Sequence, residues 1–228
     1  MKIFKKILLI LFIILFTIAL IFFIIGYSTY SKALKEKPLV TRVQEITSDE
    51  HFVKFNDMST DYRNAVIAVE DHRFYDHGAI DIIAIGRALY TNIKNWDLRE
   101  GGSTITQQVA KNIVLSQEQT LSRKLGEFFA AYDLEKNYTK NEIFELYVNT
   151  AYFGNNYYGI YEASLGYYQK TPAELNLDEA SMLAGIPNAP SVYAPNVNPT
   201  LAKQRQIHVI KKMLEYGYIS NEQALPLI

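Results

Sequence analysis

The 228-residue chain contains no cysteine, which excludes disulfides, thiolate metal sites and thiol nucleophiles. It also lacks an excess of charge of either sign. Its 23 Lys and Arg against 24 Asp and Glu leave a formal net charge of −1, which argues against a broad basic surface for nucleic acid. Tryptophan occurs once, at Trp96, while Tyr and Phe supply the other aromatics. There is no internal repeat and no low-complexity stretch. The pattern Gly-x-x-x-x-Gly-Lys-[Ser/Thr] is missing, so a P-loop is excluded, and no Gly-x-Ser-x-Gly elbow signals a Ser-His-Asp hydrolase. No segment alternates well enough for a central sheet.

What the chain does have is one long apolar run. From Ile7 to Ile25 every residue is apolar except Thr17. At the α-helical rise this run covers roughly 28 Å, close to the hydrocarbon thickness of a bilayer. It exceeds a signal-peptide core, and no small-x-small cleavage site follows it. Residues 7–25 therefore read as a single transmembrane helix after a short tip, residues 1–6. Lys2, Lys5 and Lys6 before the run are balanced by Lys32, Lys35, Lys37 and Arg42 after it, so charge alone does not orient it. Residues 26–43 read as a polar stalk, and residues 44–228 as one domain of ordinary size.

Apolar periodicity predicts helices over Asp61–Glu70, Ile80–Ile93, Thr106–Leu115, Leu121–Asn137, Asn141–Asn149 and Asp178–Ile186. A last long helix is predicted from a Thr200 cap to Tyr216, stopping at Gly217. Thr139 is a further predicted cap, and a short hairpin within Thr41–Phe55 is the one β expectation. The fold class read from the residues is all-α.

Three constellations could carry chemistry. Gly101-Gly102-Ser103-Thr104-Ile105-Thr106-Gln107-Gln108 opens a helix with small residues and hydroxyls, leaving backbone N–H groups and the positive end of a helix dipole for an anionic oxygen. Gln107 and Gln108 share a helix side with Lys111. Glu70 lies in Glu70-Asp71-His72-Arg73-Phe74-Tyr75-Asp76-His77. A carboxylate among imidazoles and aromatics there could be tuned as a general base; the plainer reading is a charged helix end. His72 and His77, five apart, do not share a face as metal ligands would. Glu127 has Arg123 at i−4 and Lys124 at i−3, all pointing one way. With Lys111, these cations could hold a diphosphate leaving group; an ordinary helix ion pair would give the same spacing.

These residues together resemble the family 51 glycosyltransferases, the peptidoglycan polymerases found alone or as N-terminal domains of bifunctional penicillin-binding proteins. Five motifs occur in order. They are Glu-Asp-x-x-Phe-x-x-His at Glu70–His77; Gly-Gly-Ser-Thr-Ile-Thr-Gln-Gln at Gly101–Gln108, followed by Lys111-Asn112; Arg-Lys-x-x-Glu at Arg123–Glu127; Lys140, Ile143, Tyr147 and Asn149; and Arg205, Val209 and Met213. Ala79 stands where the family usually has Gly, Gln206 where a second Arg is frequent, and Asn188 where many members carry a phosphate-contacting Lys.

The resemblance implies a lysozyme-like helical lobe with a smaller membrane-facing lobe. Ile80–Trp96 would form part of the latter, with Ile82, Ile83, Ile85, Leu89 and Trp96 at the interface. It implies a cytoplasmic tip, a catalytic domain on the outer face of a bacterial plasma membrane, and no transpeptidase domain within the chain. The implied reaction polymerises lipid II onto a growing lipid-linked glycan strand, with release of polyprenyl diphosphate. Glu70 would be the general base and Glu127 the second catalytic acid, its role left open. Lys111, Arg123 and Lys124 would hold the diphosphate, and Ser103, Thr104, Gln107, Gln108 and Asn149 would bind sugar or phosphate oxygens. A divalent cation (Mg or Mn) is implied as cofactor, with its ligands unassigned, and penicillin-binding transpeptidases are implied as partners. The competing readings are a lysozyme-like enzyme that cleaves glycan and an inactive membrane-anchored scaffold.

Overall fold

The computed structural model describes residues 2–95, 101–115 and 120–228. Its elements are helical, with no strand among the described residues, only an isolated Tyr152–Tyr158 bridge. Along the chain run α1 (Lys2–Glu36), α2 (Leu39–Thr47), α3 (Thr60–Glu70), α4 (Ile82–Asn95), α5 (Ile105–Val109), α6 (Leu121–Asn137), α7 (Lys140–Thr150), α8 (Gly159–Tyr168), α9 (Leu177–Gly185), α10 (Pro190–Tyr193), α11 (Pro199–Glu215) and α12 (Asn221–Ala224). A π-helical turn, Ala110–Val114, follows α5 directly.

Capping chemistry sets most helix starts. Ser59, Thr104, Thr120, Thr139 and Asn176 each accept a backbone N–H of the first turn, and at Thr104, Thr139 and Asn176 a Gln or Glu three residues on returns the bond. The last long helix begins earlier than predicted. Asn198 caps it and Pro199 takes the first turn, where a missing N–H costs nothing, so Thr200 lies inside the helix. The predicted hairpin near Thr41–Phe55 is instead α2 followed by a short 3-10 turn at Phe55–Asp57.

The core is built on α3. Tyr62, Ala65, Val66, Ile67 and Ala68 are buried along it, and α9 and α11 pack onto it and onto each other. Small residues such as Ala180 and Ala184 on α9 let these helices approach. On the other side, α5 packs on α7, whose Ile143, Phe144, Leu146, Tyr147 and Val148 are buried. Each large side chain so buried, Tyr62, Phe74, Phe144 and Phe153 included, stabilises the fold by about 1.5–3 kcal/mol relative to exposure.

The long N-terminal helix crosses two environments. From Ile3 it is exposed and strongly apolar, long enough to span a bilayer, and the Thr17 hydroxyl is satisfied by the Ile13 carbonyl at 2.8 Å. The segment expected as a stalk is different from a linker. The helix continues unbroken to Glu36 and packs its far half against α6. Phe129 of α6 sits among Phe23, Tyr27 and Tyr30, and the Tyr30 hydroxyl donates to Asp133 at 2.6 Å. Gly26 permits this approach, since a Cβ there would lie 2.9 Å from both the Leu125 carbonyl oxygen and the Phe129 ring. In return, a Cβ on Gly126 would meet Thr29 at 3.3 Å.

Gly26→Ala is therefore expected to force α1 and α6 apart and destabilise the protein by about 1–3 kcal/mol, the usual scale of overpacking. A drop in the midpoint of thermal unfolding in detergent checks this; an unchanged midpoint would mean that the contact yields freely.

Candidate active site

One cleft of about 740 Å³ gathers the chemistry-bearing residues. Its first wall is the junction of α3 and α5. Glu70 is the last residue of α3, at the negative end of the helix dipole, where a carboxylate is disfavoured. Its side chain is only 9% exposed. Gln108 Nε2 donates to Oε2 at 2.8 Å, while Oε1 is buried with no hydrogen-bond partner among the described residues. Arg205 of α11 brings Nη2 to 3.6 Å from that oxygen. Burial raises the carboxyl above its ordinary pKa, and the Gln108 hydrogen bond together with Arg205 and Lys111 pulls part of the way back. Burial also pushes Tyr62 and Tyr147 upward, with the Glu70 charge acting in the same sense on both. The Tyr147 hydroxyl, too, is buried without a partner among the described residues.

The next residue, Asp71, braces this wall. Its Oδ2 accepts the Ile105 N–H at 3.0 Å, at the start of α5, and its Oδ1 lies 2.8 Å from His77 Nε2. Glu70 and Gln108 thus meet because adjacent backbone segments are tied together. His77 is raised above its usual pKa: burial works against this but is outweighed by the bond to Asp71 and its charge.

The opposite wall is α6. Glu127 is 2% exposed, and both its oxygens are engaged, Oε1 by Arg123 and Oε2 by Lys124 Nζ at 2.6 Å. The same Lys124 ammonium donates to Ser103 Oγ at 2.9 Å, which joins α6 to the Gly101–Gly102 loop. Lys111 enters from the π turn, a distortion frequent at functional sites. Arg87, His208, Lys212 and His72 also line the cleft. The His72 ring stacks on Tyr216 at 4.2 Å, and burial beside Arg87 and Arg73 lowers its pKa, favouring the neutral form.

The expected residues do not all have the expected place. Glu70, Ser103, Gln108, Lys111, Arg123, Lys124 and Glu127 line one cleft. Thr104 and Gln107 also touch it, but Thr104 Oγ1 donates to Ala79 O and accepts the Gln107 N–H, while Gln107 Oε1 accepts the Thr104 N–H. Their polar atoms are largely occupied in capping α5. Asn149 is not among the cleft-lining residues. Its amide pairs with the Val53 backbone in both directions, at 2.8 and 2.9 Å, and so fastens the chain before α3 to α7. Arg205 was noted in the sequence without a role, and nothing local predicts its reach to Glu70.

The described residues do not form a ready divalent-cation site. Asp71, His77 and Asp81 bring three potential ligand atoms within 4.8 Å of one another. However, Asp81 is held by Arg73 and the Ala84 N–H, and Asp71 by His77 and Ile105. Glu127 is similarly taken by two cations.

The order of these pieces along the chain agrees with a known family. A family model described as Transglycosylase matches residues 37–214, most of the chain. The chain belongs to the transglycosylase family. It is 45% identical over 172 residues to penicillin-binding protein 1A of Neisseria flavescens, covering 75% of this chain and 22% of that protein. It is 43% identical over 179 residues to penicillin-binding protein 1F of Bacillus subtilis, covering 78% of this chain and 25% of that protein. The chain thus spans a quarter or less of the length of these relatives. A crystal structure of penicillin-binding protein 1A from Haemophilus influenzae aligns at 27% identity and a TM-score of 0.38, over 54% of this chain and 15% of that one. Membership in this family is compatible with an N-terminal helix long and apolar enough to cross a membrane.

Because Glu70 holds its proton more tightly folded than unfolded, the folded state loses stability as pH rises through its elevated pKa. Glu70→Gln is therefore expected to be more stable than the wild type at neutral pH, the gap closing below about pH 4 where both unfolded carboxyl and folded carboxyl are protonated. Thermal unfolding across pH tests the sign; a variant less stable than wild type at neutral pH would contradict it.

Proposed function

We propose that the chain polymerises lipid II into β-1,4-linked glycan strands by inverting glycosyl transfer. The observation that supports this most is the pairing, in one cleft, of a buried carboxylate with one unpartnered oxygen and a cluster of cations facing it. The 4-hydroxyl oxygen of the acceptor attacks the anomeric carbon of the donor sugar while its proton passes to Glu70 Oε1. A new glycosidic C–O bond forms as the C–O bond to the diphosphate breaks. The polyprenyl diphosphate leaves with the electron pair, its growing charge met by Lys111, Arg123 and Lys124.

Glu127 acts here as the anchor of two of those cations, holding them at fixed positions so that little reorganisation accompanies the reaction. A site for neutral sugar links alone has no use for this cationic wall, which weighs against a glycan-cleaving enzyme. The membrane helix and the exposed apolar side of α4, with Ile82, Ile83, Leu89, Tyr90 and Ile93 outward, suit substrates that carry lipid tails; confinement to the bilayer raises their effective concentration. Trp96, expected on the same surface, lies outside the described residues. In this reading the cleft lies on the outer face of the plasma membrane, and penicillin-binding transpeptidases crosslink the product.

Labelled lipid II incubated with detergent-solubilised protein is expected to give a ladder of glycan strands, and Glu70→Gln is expected to slow its formation by about 10²-fold or more. A ladder of near-native intensity from Glu70→Gln would remove Glu70 from the role of base. Fragments released from purified walls without any ladder would establish a hydrolase, and no product in either assay would favour a scaffold.

A further inference from the structure

Arg42 enters the sequence only as one of four cations following the apolar run, yet its guanidinium has a defined structural position. Its Nε donates to the Lys37 carbonyl at 2.9 Å, just past α1, and its Nη2 to the Ala33 carbonyl at 3.0 Å, in the last turn of α1. Its Nη1 donates to the Ile113 carbonyl at 3.0 Å. The Ala33 carbonyl also accepts the Lys37 N–H at 3.1 Å, so Arg42 adds a second donor where the chain leaves α1. The Ile113 carbonyl belongs to the π turn Ala110–Val114, which carries Lys111 two residues earlier. One side chain therefore ties the end of the membrane helix to the turn that presents a cleft cation.

The same helix seats the other cleft cations. Through Gly26 and the ring cluster around Phe129, α1 packs against α6, which bears Arg123, Lys124 and Glu127. The π turn meets α6 directly as well: a Cβ on Gly126 would lie 3.4 Å from Leu115, the residue just past the turn. The end of α1 is thus the common support of the two segments whose cations converge on the cleft.

We infer that Arg42 is a positioning residue for the reaction: by bonding Ala33, Lys37 and Ile113 at once it holds the π turn in register with α1, and so fixes Lys111 relative to Arg123 and Lys124. The inference rests on the proposed role of those cations in holding a diphosphate. Three acceptors around one side chain need the planar fork of arginine; a lysine ammonium keeps the charge but is a single point without that geometry. Arg42→Lys is therefore not conservative at this position.

The test is a double-mutant cycle on the full chain in detergent, with lipid II polymerisation measured across substrate concentration. Arg42→Gln and Arg42→Lys, each alone and combined with Lys111→Ala, are compared with wild type, and thermal unfolding is followed for all. Acting through Lys111, either substitution lowers kcat/KM by about tenfold in the wild-type background and by less than about twofold beside Lys111→Ala, because a coupled pair is not additive. Should Arg42→Gln not fold, Arg42→Lys carries the comparison. Wild-type kcat/KM in a folded Arg42 variant, or an equal loss with and without Lys111, would overturn the inference and leave Arg42 with a purely stabilising role. Failure of the underlying functional reading has a different signature, since Lys111→Ala alone would then polymerise at the wild-type rate.

Discussion

The architecture depends on keeping a carboxylate out of water with one oxygen unpaired. Glu70 is buried at the end of α3, against the helix dipole, and among the described residues only Gln108 donates to it. Such a group relaxes toward a partner or toward solvent unless its surroundings prevent it. Here the prevention is mechanical. Asp71 fastens the start of α5, His77 fastens Asp71, and Tyr62 and Phe74 are packed without exposure in the surrounding core. Arg205 stands just beyond hydrogen-bond distance, close enough to moderate the charge without occupying the oxygen.

The facing wall solves the opposite problem. Glu127 is as buried as any acid among the described residues but fully engaged, and the two cations that engage it also line the cleft. One acid keeps an open oxygen, while the other has both oxygens engaged. Because Ser103 accepts from Lys124, the glycine-rich loop is tied to this wall. The membrane helix extends the logic, since its far half supports α6 and its end is bonded through Arg42 to the π turn.

How much of this was legible depended on the distance over which each relation acts. The trio Arg123, Lys124 and Glu127 could be read because helix geometry alone puts i, i+3 and i+4 together. Gln108 and Lys111 were readable for the same reason. Thr104, Gln107 and Asn149 were assigned to ligand binding, yet hydroxyls and amides serve equally well as caps and backbone clasps, and that choice is made by which backbone groups lack partners. Residues 26–43 read as a stalk because their composition is polar, although most of them form helix. Polar residues such as Tyr30 and Arg42 can still pack when their partners, Asp133 and Ile113, arrive from elsewhere in the chain.

By itself the sequence determined the all-α class, an N-terminal run long and apolar enough to cross a membrane, the Thr139 cap, and the identity and facing of the α6 cations. Each follows from interactions within a few residues, which spacing encodes directly. Only the tertiary structure decided that Glu70 keeps an open oxygen, that Arg205 approaches it, that Asn149 serves the backbone, and that α1 supports both cation-bearing segments. Those outcomes rest on burial and on contacts between helices distant in the chain, and burial is a property of the packed molecule that no local pattern contains.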